Sequence, residues 1–293
     1  MKKAAFLYNP VSGDRFVPNH LDQMLEQFQS NGVDALAYRL PESGEIDTEF
    51  LNHEKIDYVI AAGGDGTIRL VAQTMIEHNI NKPYIALGGG TCNNFTTNLD
   101  VDSNLIHAIP EIMGGSIQKV DVGCVNNKDY FLSSLAGGVF VQTSFATDAG
   151  LKETLGPLAY YIKPLSELKN VKSFPLTIET DKETITENVY LFLLLNGRSV
   201  GNFTNFLKQT DIQDGKMEMI LIKEGSPVET ANLFLKILKK EDITDSNQVV
   251  YLKSAYFKIS SPEDMVLSID GEEGPSLPVE VSVVSDVLSV IVP

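Results

Sequence analysis

A chain of 293 residues, 43% of them apolar and 21% charged, has room for two domains and too much apolar content for wholesale disorder. Its formal net charge of −16 speaks against a nucleic-acid binder and against a polybasic membrane anchor. No apolar run approaches the ~20 residues of a membrane-spanning helix, and the cysteines, Cys92 and Cys124, offer neither a disulfide framework nor a CxxC metal site, so a reduced cytoplasm is the expected setting.

The N-terminus places two lysines before the apolar residues 4–8. That run is too short for a signal-peptide core and is stopped by Asn9-Pro10, so it reads as a buried first strand. Residues 20–32 follow with Leu21, Met24, Leu25 and Phe28 at helical spacing and Gly32 where a helix C-terminus favours it. Residues 35–40 are strand-like, and residues 58–62 form an unbroken apolar run, the pattern of a strand covered on both faces. Residues 67–78 carry Ile68, Val71, Met75 and Ile76 on one helical side, and residues 84–87 make a strand that runs into Gly88-Gly89-Gly90. Alternation of this kind predicts a parallel, doubly wound sheet.

The texture changes after about Asp121. Residues 139–142, 176–180, 189–195, 217–222, 256–260 and 265–269 read as strands, interrupted by helical stretches at 157–168 and 228–239. Strands in series with few crossovers predict an antiparallel β-sandwich. The expected fold class is therefore α/β, with an N-terminal doubly wound domain at 1–122 and an antiparallel β-sandwich domain at 123–286.

Three glycine-bearing turns follow predicted strands of the first half: Asn9-Pro10-Val11-Ser12-Gly13, Gly63-Gly64-Asp65-Gly66-Thr67, and Gly88-Gly89-Gly90-Thr91-Cys92-Asn93-Asn94. In a doubly wound sheet such turns gather at the carboxyl ends of the strands, where ligands bind. Glycine lets the backbone approach a phosphate, and exposed N–H groups with a following helix N-terminus attract the anion. Thr67 is placed to cap that helix and to contact phosphate. Any one of these turns alone would pass as an ordinary tight turn. GxxxxGK[ST] is absent, and Gly64-Asp65-Gly66 lacks the later glycine of a dinucleotide fingerprint. Asp65 among phosphate-binding glycines implies a Mg²⁺ ion or a substrate hydroxyl to offset its charge.

Two acidic turns stand in the second half. Asp270-Gly271-Glu272-Glu273 follows a predicted strand, and in extended geometry Asp270 and Glu272 face the same side. One could accept a proton from an attacking hydroxyl while the other orients it, although a solvated acidic hairpin would carry the same residues. Asp211-Ile212-Gln213-Asp214-Gly215 could hold a hard cation or be a plain Asp-Gly turn. The four histidines, His20, His53, His78 and His107, are scattered and form no catalytic or zinc constellation.

With these motifs in place the chain resembles the bacterial diacylglycerol kinase family, which shares its catalytic domain with sphingosine and ceramide kinases. Asn9-Pro10-Val11-Ser12-Gly13 looks like its opening motif, and Gly63-Gly64-Asp65-Gly66-Thr67 like its central signature. Gly90-Thr91-Cys92-Asn93-Asn94-Phe95 is similar to its GTxNDFA loop, and Leu155-Gly156-Pro157-Leu158-Ala159-Tyr160 to a stretch that opens a helix. Asn196-Gly197-Arg198 with Gly201, Asp214-Gly215 and Asp270-Gly271-Glu272 look like second-domain motifs. The resemblance implies ATP and Mg²⁺ as cofactors, a lipid alcohol as substrate, most simply diacylglycerol giving phosphatidic acid, and transient contact with a membrane surface. A homodimer is left open. ATP contacts would come from Asn9, Pro10, Val11, Ser12, Gly13, Gly63, Gly64, Asp65, Gly66, Thr67, Gly90, Thr91 and Asn93. Glu272 would be the proton acceptor and Asp270 its essential partner. Asp211, Asp214 and Lys216 would hold a structural Mg²⁺, Asp211 and Lys216 through backbone carbonyls. Residues 287–293 would return to the first domain. The chain departs from the family at Gly88 (usually proline), Leu40 (near a threonine), Asn94 (usually aspartate) and Thr96-Thr97 (commonly Ala-Arg). An NAD kinase-like enzyme and a catalytically weak nucleotide-binding regulator are the alternatives.

Overall fold

The computed structural model describes residues 1–138, 172–198, 210–239 and 241–293. The expected strand at 139–142, the helix at 157–168, the stretch Leu155-Gly156-Pro157-Leu158-Ala159-Tyr160 and Gly201 lie outside the described residues. The chain divides into two compact units, Met1–Asp121 with Ser285–Pro293, and Val122–Val284.

The first unit is built on strands β1 (Lys2–Tyr8), β2 (Val33–Arg39), β3 (Tyr58–Gly63) and β4 (Tyr84–Gly88), joined by the end of β15 (Val279–Val292). Their order is β15-β4-β3-β1-β2, and all pair in parallel. Helices α1 (Phe16–Ser30) and α5 (Leu105–Gly114) cover one face, where Phe6, Ile60, Ile85 and Leu87 meet Met24, Phe28, Ala108 and Ile109. Helix α3 (Asp65–Glu77) packs on β3 and β4 and buries Ile68, Val71 and Met75. β3 is buried from Val59 to its end, as a strand sandwiched between helices must be. Short helices α2 (Thr48–Asn52) and α4 (Asn94–Asn98) complete the unit; Asp47 caps α2 by accepting from the N–H of Phe50 at 2.9 Å.

Local chemistry sets the helix boundaries. α1 starts four residues before the expected His20, because Pro18 falls in its first turn, where a missing N–H costs nothing. It ends as expected: Gly32 takes φ +79° and its N–H returns to the Gln29 carbonyl at 2.9 Å. For α3 the cap is Gly64 rather than Thr67, which sits one turn in with its hydroxyl buried.

The second unit is antiparallel. Strands β6 (Asp129–Phe131), β7 (Ser134–Gly138), β8 (Phe174–Thr180), β9 (Thr184–Leu195), β10 (Met217–Lys223), β11 (Val249–Ser254), β12 (Tyr256–Ser260), β13 (Val266–Ile269) and β14 (Glu272–Ser276) make a β-sandwich, with β5 (Ser116–Val125) leading in and β15 leading out. The order β14-β13-β7-β9-β8-β12-β15 forms its main sheet, and β10 pairs with both β9 and β11. One core gathers Phe131, Leu135, Phe192, Met219, Phe257 and Leu267. A smaller cluster, Leu191, Leu195, Ile220 and Ile222, is covered by Leu233 and Ile237 of α6 (Pro227–Leu238), whose start carries a full capping box between Ser226 and Glu229.

Candidate active site

In the first unit the three glycine turns, at the ends of β1, β3 and β4, touch one another through their backbones. A Cβ on Gly13 would fall 1.7 Å from the carbonyl oxygen of Gly89, and one on Gly90 would fall 2.7 Å from Cα of Gly64. Gly89 donates its N–H to the Gly63 carbonyl at 2.7 Å. Gly13 also holds φ +47°, a left-handed conformation that an alanine would adopt only with strain. The close approach explains why all three turns need glycine.

Side chains then tie the turns together. Asn9 accepts the Val11 N–H at 3.0 Å and donates Nδ2 to the buried Thr67 hydroxyl at 3.2 Å. The Ser12 hydroxyl accepts the Gly64 N–H at 3.4 Å. Asn93, at φ +54°, closes the third turn on itself, accepting from Gly90 N–H at 2.7 Å and donating to its carbonyl at 3.0 Å. Asp65 reaches across from the second turn. Its Oδ2 accepts the N–H of Asn93 at 2.9 Å and its Oδ1 the N–H of Asn94 at 2.7 Å, so it caps α4 from outside the helix. The Asp65 charge is therefore engaged in holding the third turn against the second. Pro10 is buried beneath the first turn, while Val11 and Thr91 are exposed and Gly66 is half-buried. The three turns thus meet at the carboxyl ends of β1, β3 and β4 beside the N-terminus of α3, the edge of a parallel sheet at which ligands characteristically bind.

In the second unit Asp270 and Gly271 are the two loop residues between β13 and β14, since Ile269 pairs directly with Glu272. Their φ values of +49° and +89° are those of a type I′ hairpin. The extended-strand geometry that would set Asp270 and Glu272 side by side does not apply, and the two carboxylates part company. Asp270 turns inward, with only 5% of its surface exposed. Its Oδ2 accepts the N–H of Leu132 at 2.8 Å, and its Oδ1 accepts those of Ser133 at 2.9 Å and Ser134 at 2.8 Å. Asn196, the residue after β9, holds the same 132–134 segment, donating Nδ2 to the Leu132 carbonyl at 3.0 Å. Glu272 is exposed on β14, beyond the clasp. Asp270 thus fixes the hairpin, whose strand β14 leaves Glu272 and Glu273 exposed. The Leu132–Ser134 amides escaped sequence reasoning because backbone donors leave no side-chain signature.

The other acidic turn carries Asp211, Asp214 and Lys216, and three of its carboxylate oxygens are engaged within the chain. Asp211 Oδ1 accepts the Gln213 N–H at 3.0 Å and Asp214 Oδ1 the Lys216 N–H at 3.0 Å. Asp214 Oδ2 lies 2.7 Å from the Lys253 ammonium, which stands 2.7 Å from Oε1 of the fully buried Glu218 as well. Burial pushes the Glu218 carboxyl up, against the pull of Lys253. For Lys253, burial opposes the charged form, but bonds to Asp214 and Glu218 outweigh it and raise its pKa. Among the described residues no group of three or more His, Cys, Asp or Glu side chains gathers as a metal site. Cys92 and Cys124 are not joined in a disulfide.

A parallel-sheet unit whose glycine turns meet at one edge, followed by an antiparallel sandwich with a fixed acidic hairpin, defines a two-unit α/β protein. The model of the diacylglycerol kinase catalytic domain matches residues 3–125, and that of the YegS C-terminal NAD kinase beta sandwich-like domain matches residues 134–292. Diacylglycerol kinases of Staphylococcus aureus strains JH9 and Newman are 32% identical over 280 residues, spanning 94% of this chain and 88% of theirs. A solved structure from Bacillus anthracis str. Sterne superposes with a TM-score of 0.86 at 23% identity, covering 100% of this chain and 95% of that one. The crystal structure of a diacylglycerol kinase from the same strain gives 0.77 at 21%, covering 100% and 97%. The chain belongs to the bacterial diacylglycerol kinase family of lipid kinases.

Proposed function

We propose that this enzyme transfers the γ-phosphoryl group of ATP to the hydroxyl of diacylglycerol or a closely related lipid alcohol. The observation that supports the reading is the mutual backbone packing of the three glycine turns at the ends of β1, β3 and β4, beside the N-terminus of α3. Asn9 to Gly13, Gly63 to Thr67, and Gly90, Thr91 and Asn93 would hold the nucleotide. Magnesium would arrive with its phosphates and neutralise their charge. Asp65 acts as a positioning residue for the third turn. Phosphoryl transfer asks mainly for alignment and charge neutralisation, plus one base for the alcohol proton. Glu272 is exposed and takes that role, while Asp270 holds the hairpin that carries it.

A lipid alcohol sits at a membrane, and no helix among the described residues is long and apolar enough to cross one. Peripheral contact at the cytoplasmic face fits this, with the chain's negative charge keeping each visit brief.

The test supplies Mg²⁺ and labelled ATP to the purified chain with dioleoylglycerol in mixed micelles, and separately with NAD. Phosphatidic acid should form and NAD should stay unmodified. Glu272→Gln should lower kcat by about 100-fold or more while leaving ATP affinity unchanged. Phosphorylation of NAD instead would establish the NAD kinase alternative. ATP binding without phosphorylation of any lipid alcohol would establish a non-catalytic regulator.

A further inference from the structure

We infer that in this chain the Lys253 ammonium, not a divalent metal ion, is the cation that closes the acidic turn at residues 211–216 onto the β-sandwich. The inference goes beyond the kinase reading and does not depend on which lipid is phosphorylated.

Glu218 is the carboxylate that needs a cation. It lies on β10 between β9 and β11, directly opposite Leu195 on one side and Lys253 on the other, and is fully buried. Next to it on the same strand begins the apolar face of Ile220 and Ile222 that packs against α6. A carboxylate there cannot rely on water for charge balance. Its Oε2 accepts no hydrogen bond. Its Oε1 has the Lys253 ammonium at 2.7 Å, and the same nitrogen reaches Asp214 Oδ2 at 2.7 Å.

Lys253 therefore bridges a strand residue and a turn residue, which is what a bound ion would do at this place. The remaining oxygen of Asp214 accepts the Lys216 N–H, so both oxygens of this carboxylate are engaged within the chain, and the ammonium supplies beside it the positive charge that a metal ion would otherwise bring. Lys253 emerges from β11 with its side chain 28% exposed, and its ammonium is directed at the two acids. Tyr251, two residues away on β11, senses the same cluster: burial first, then the Glu218 charge, raise its pKa.

The consequence is a sandwich whose stability is independent of divalent ions. The experiment follows urea unfolding of the full chain without nucleotide, in EDTA and in 5 mM MgCl₂, for the wild type and for Asp214→Asn. The wild-type midpoint should respond to Mg²⁺ no more than the variant's does. Lys253→Met, which strands Glu218 without a counter-charge, should lower the midpoint in EDTA by about 1 M. Adding Glu218→Gln to Lys253→Met should recover at least half of that loss. A larger Mg²⁺ response in the wild type than in Asp214→Asn would overturn the inference, as would a Lys253→Met protein as stable in EDTA as the wild type. If Lys253→Met does not fold, the comparison between wild type and Asp214→Asn decides the matter alone.

Discussion

Replacing Asp270 by asparagine separates a structural from a chemical role for the acidic hairpin. The carboxylate accepts three buried backbone N–H groups, at 2.8, 2.9 and 2.8 Å. Asparagine keeps one carbonyl oxygen, which can still serve Ser133 and Ser134, but turns an NH₂ toward the Leu132 N–H. The two surviving bonds lose their charge assistance, about half their strength. The third donor is left buried without an acceptor, at a cost of about 1–3 kcal/mol. The total comes to about 3 kcal/mol, enough to raise the open population of the 132–134 segment about 100-fold. Amide hydrogen exchange read by mass spectrometry on peptides covering residues 132–134 measures this directly. Exchange there should accelerate by about that factor in Asp270→Asn and stay at the wild-type rate in Glu272→Gln, whose exposed side chain should change stability by no more than about 0.5 kcal/mol. Unchanged exchange in Asp270→Asn would refute the clasp and return Asp270 to a direct part in the chemistry.

Three further outcomes follow from the geometry. Gly13→Ala combines a left-handed φ with a Cβ 1.7 Å from the Gly89 carbonyl oxygen, and should weaken ATP-analogue affinity by at least about tenfold in calorimetry. Asp65→Ala should release the Asn93 and Asn94 N–H groups, cost about 1 kcal/mol as a lost helix cap, and speed exchange at residues 93–94 more than anywhere in α1. The Glu229 carboxyl is held below its ordinary value by the Ser226 hydroxyl and then by its backbone N–H. The stability it brings to α6 is present above the ordinary glutamate pKa and lost as pH falls through the lowered folded value. Glu229→Gln should therefore flatten the acid limb of an unfolding curve in that window, and an unaltered limb would contradict the assignment.

Much of the first unit was legible because its signals are local. The unbroken apolar run that became β3, the spacing of Leu21, Met24, Leu25 and Phe28 in α1, and Gly32 at its end each carry their reason within a few residues. Helix α5 was not legible: Pro110 lies inside it and argues for a break, yet Leu105, Ala108, Ile109 and Ile112 are held by packing against α1 and the sheet. β11 was missed for a similar reason, since Val249–Ser254 alternates imperfectly and is fixed by pairing with β10. The same division holds at the site. Glycine turns advertise themselves, so their meeting at one edge could be anticipated from the strand order of a doubly wound sheet. The separate fates of Asp270 and Glu272 could not, because a type I′ turn at Asp270-Gly271 reverses the side on which the first carboxylate emerges, and its partners lie more than 130 positions away.

The backbone contacts among the glycine turns also limit how this kinase can evolve. A clash between side chains can be relieved by a compensating mutation that shrinks the neighbour. Where Gly13 meets the Gly89 carbonyl and Gly90 meets Cα of Gly64, the neighbour has nothing left to shrink. A suppressor screen on Gly13→Ala should thus yield revertants at codon 13 rather than second-site changes, and drift among relatives should be confined to outward-facing positions such as Val11 and Thr91.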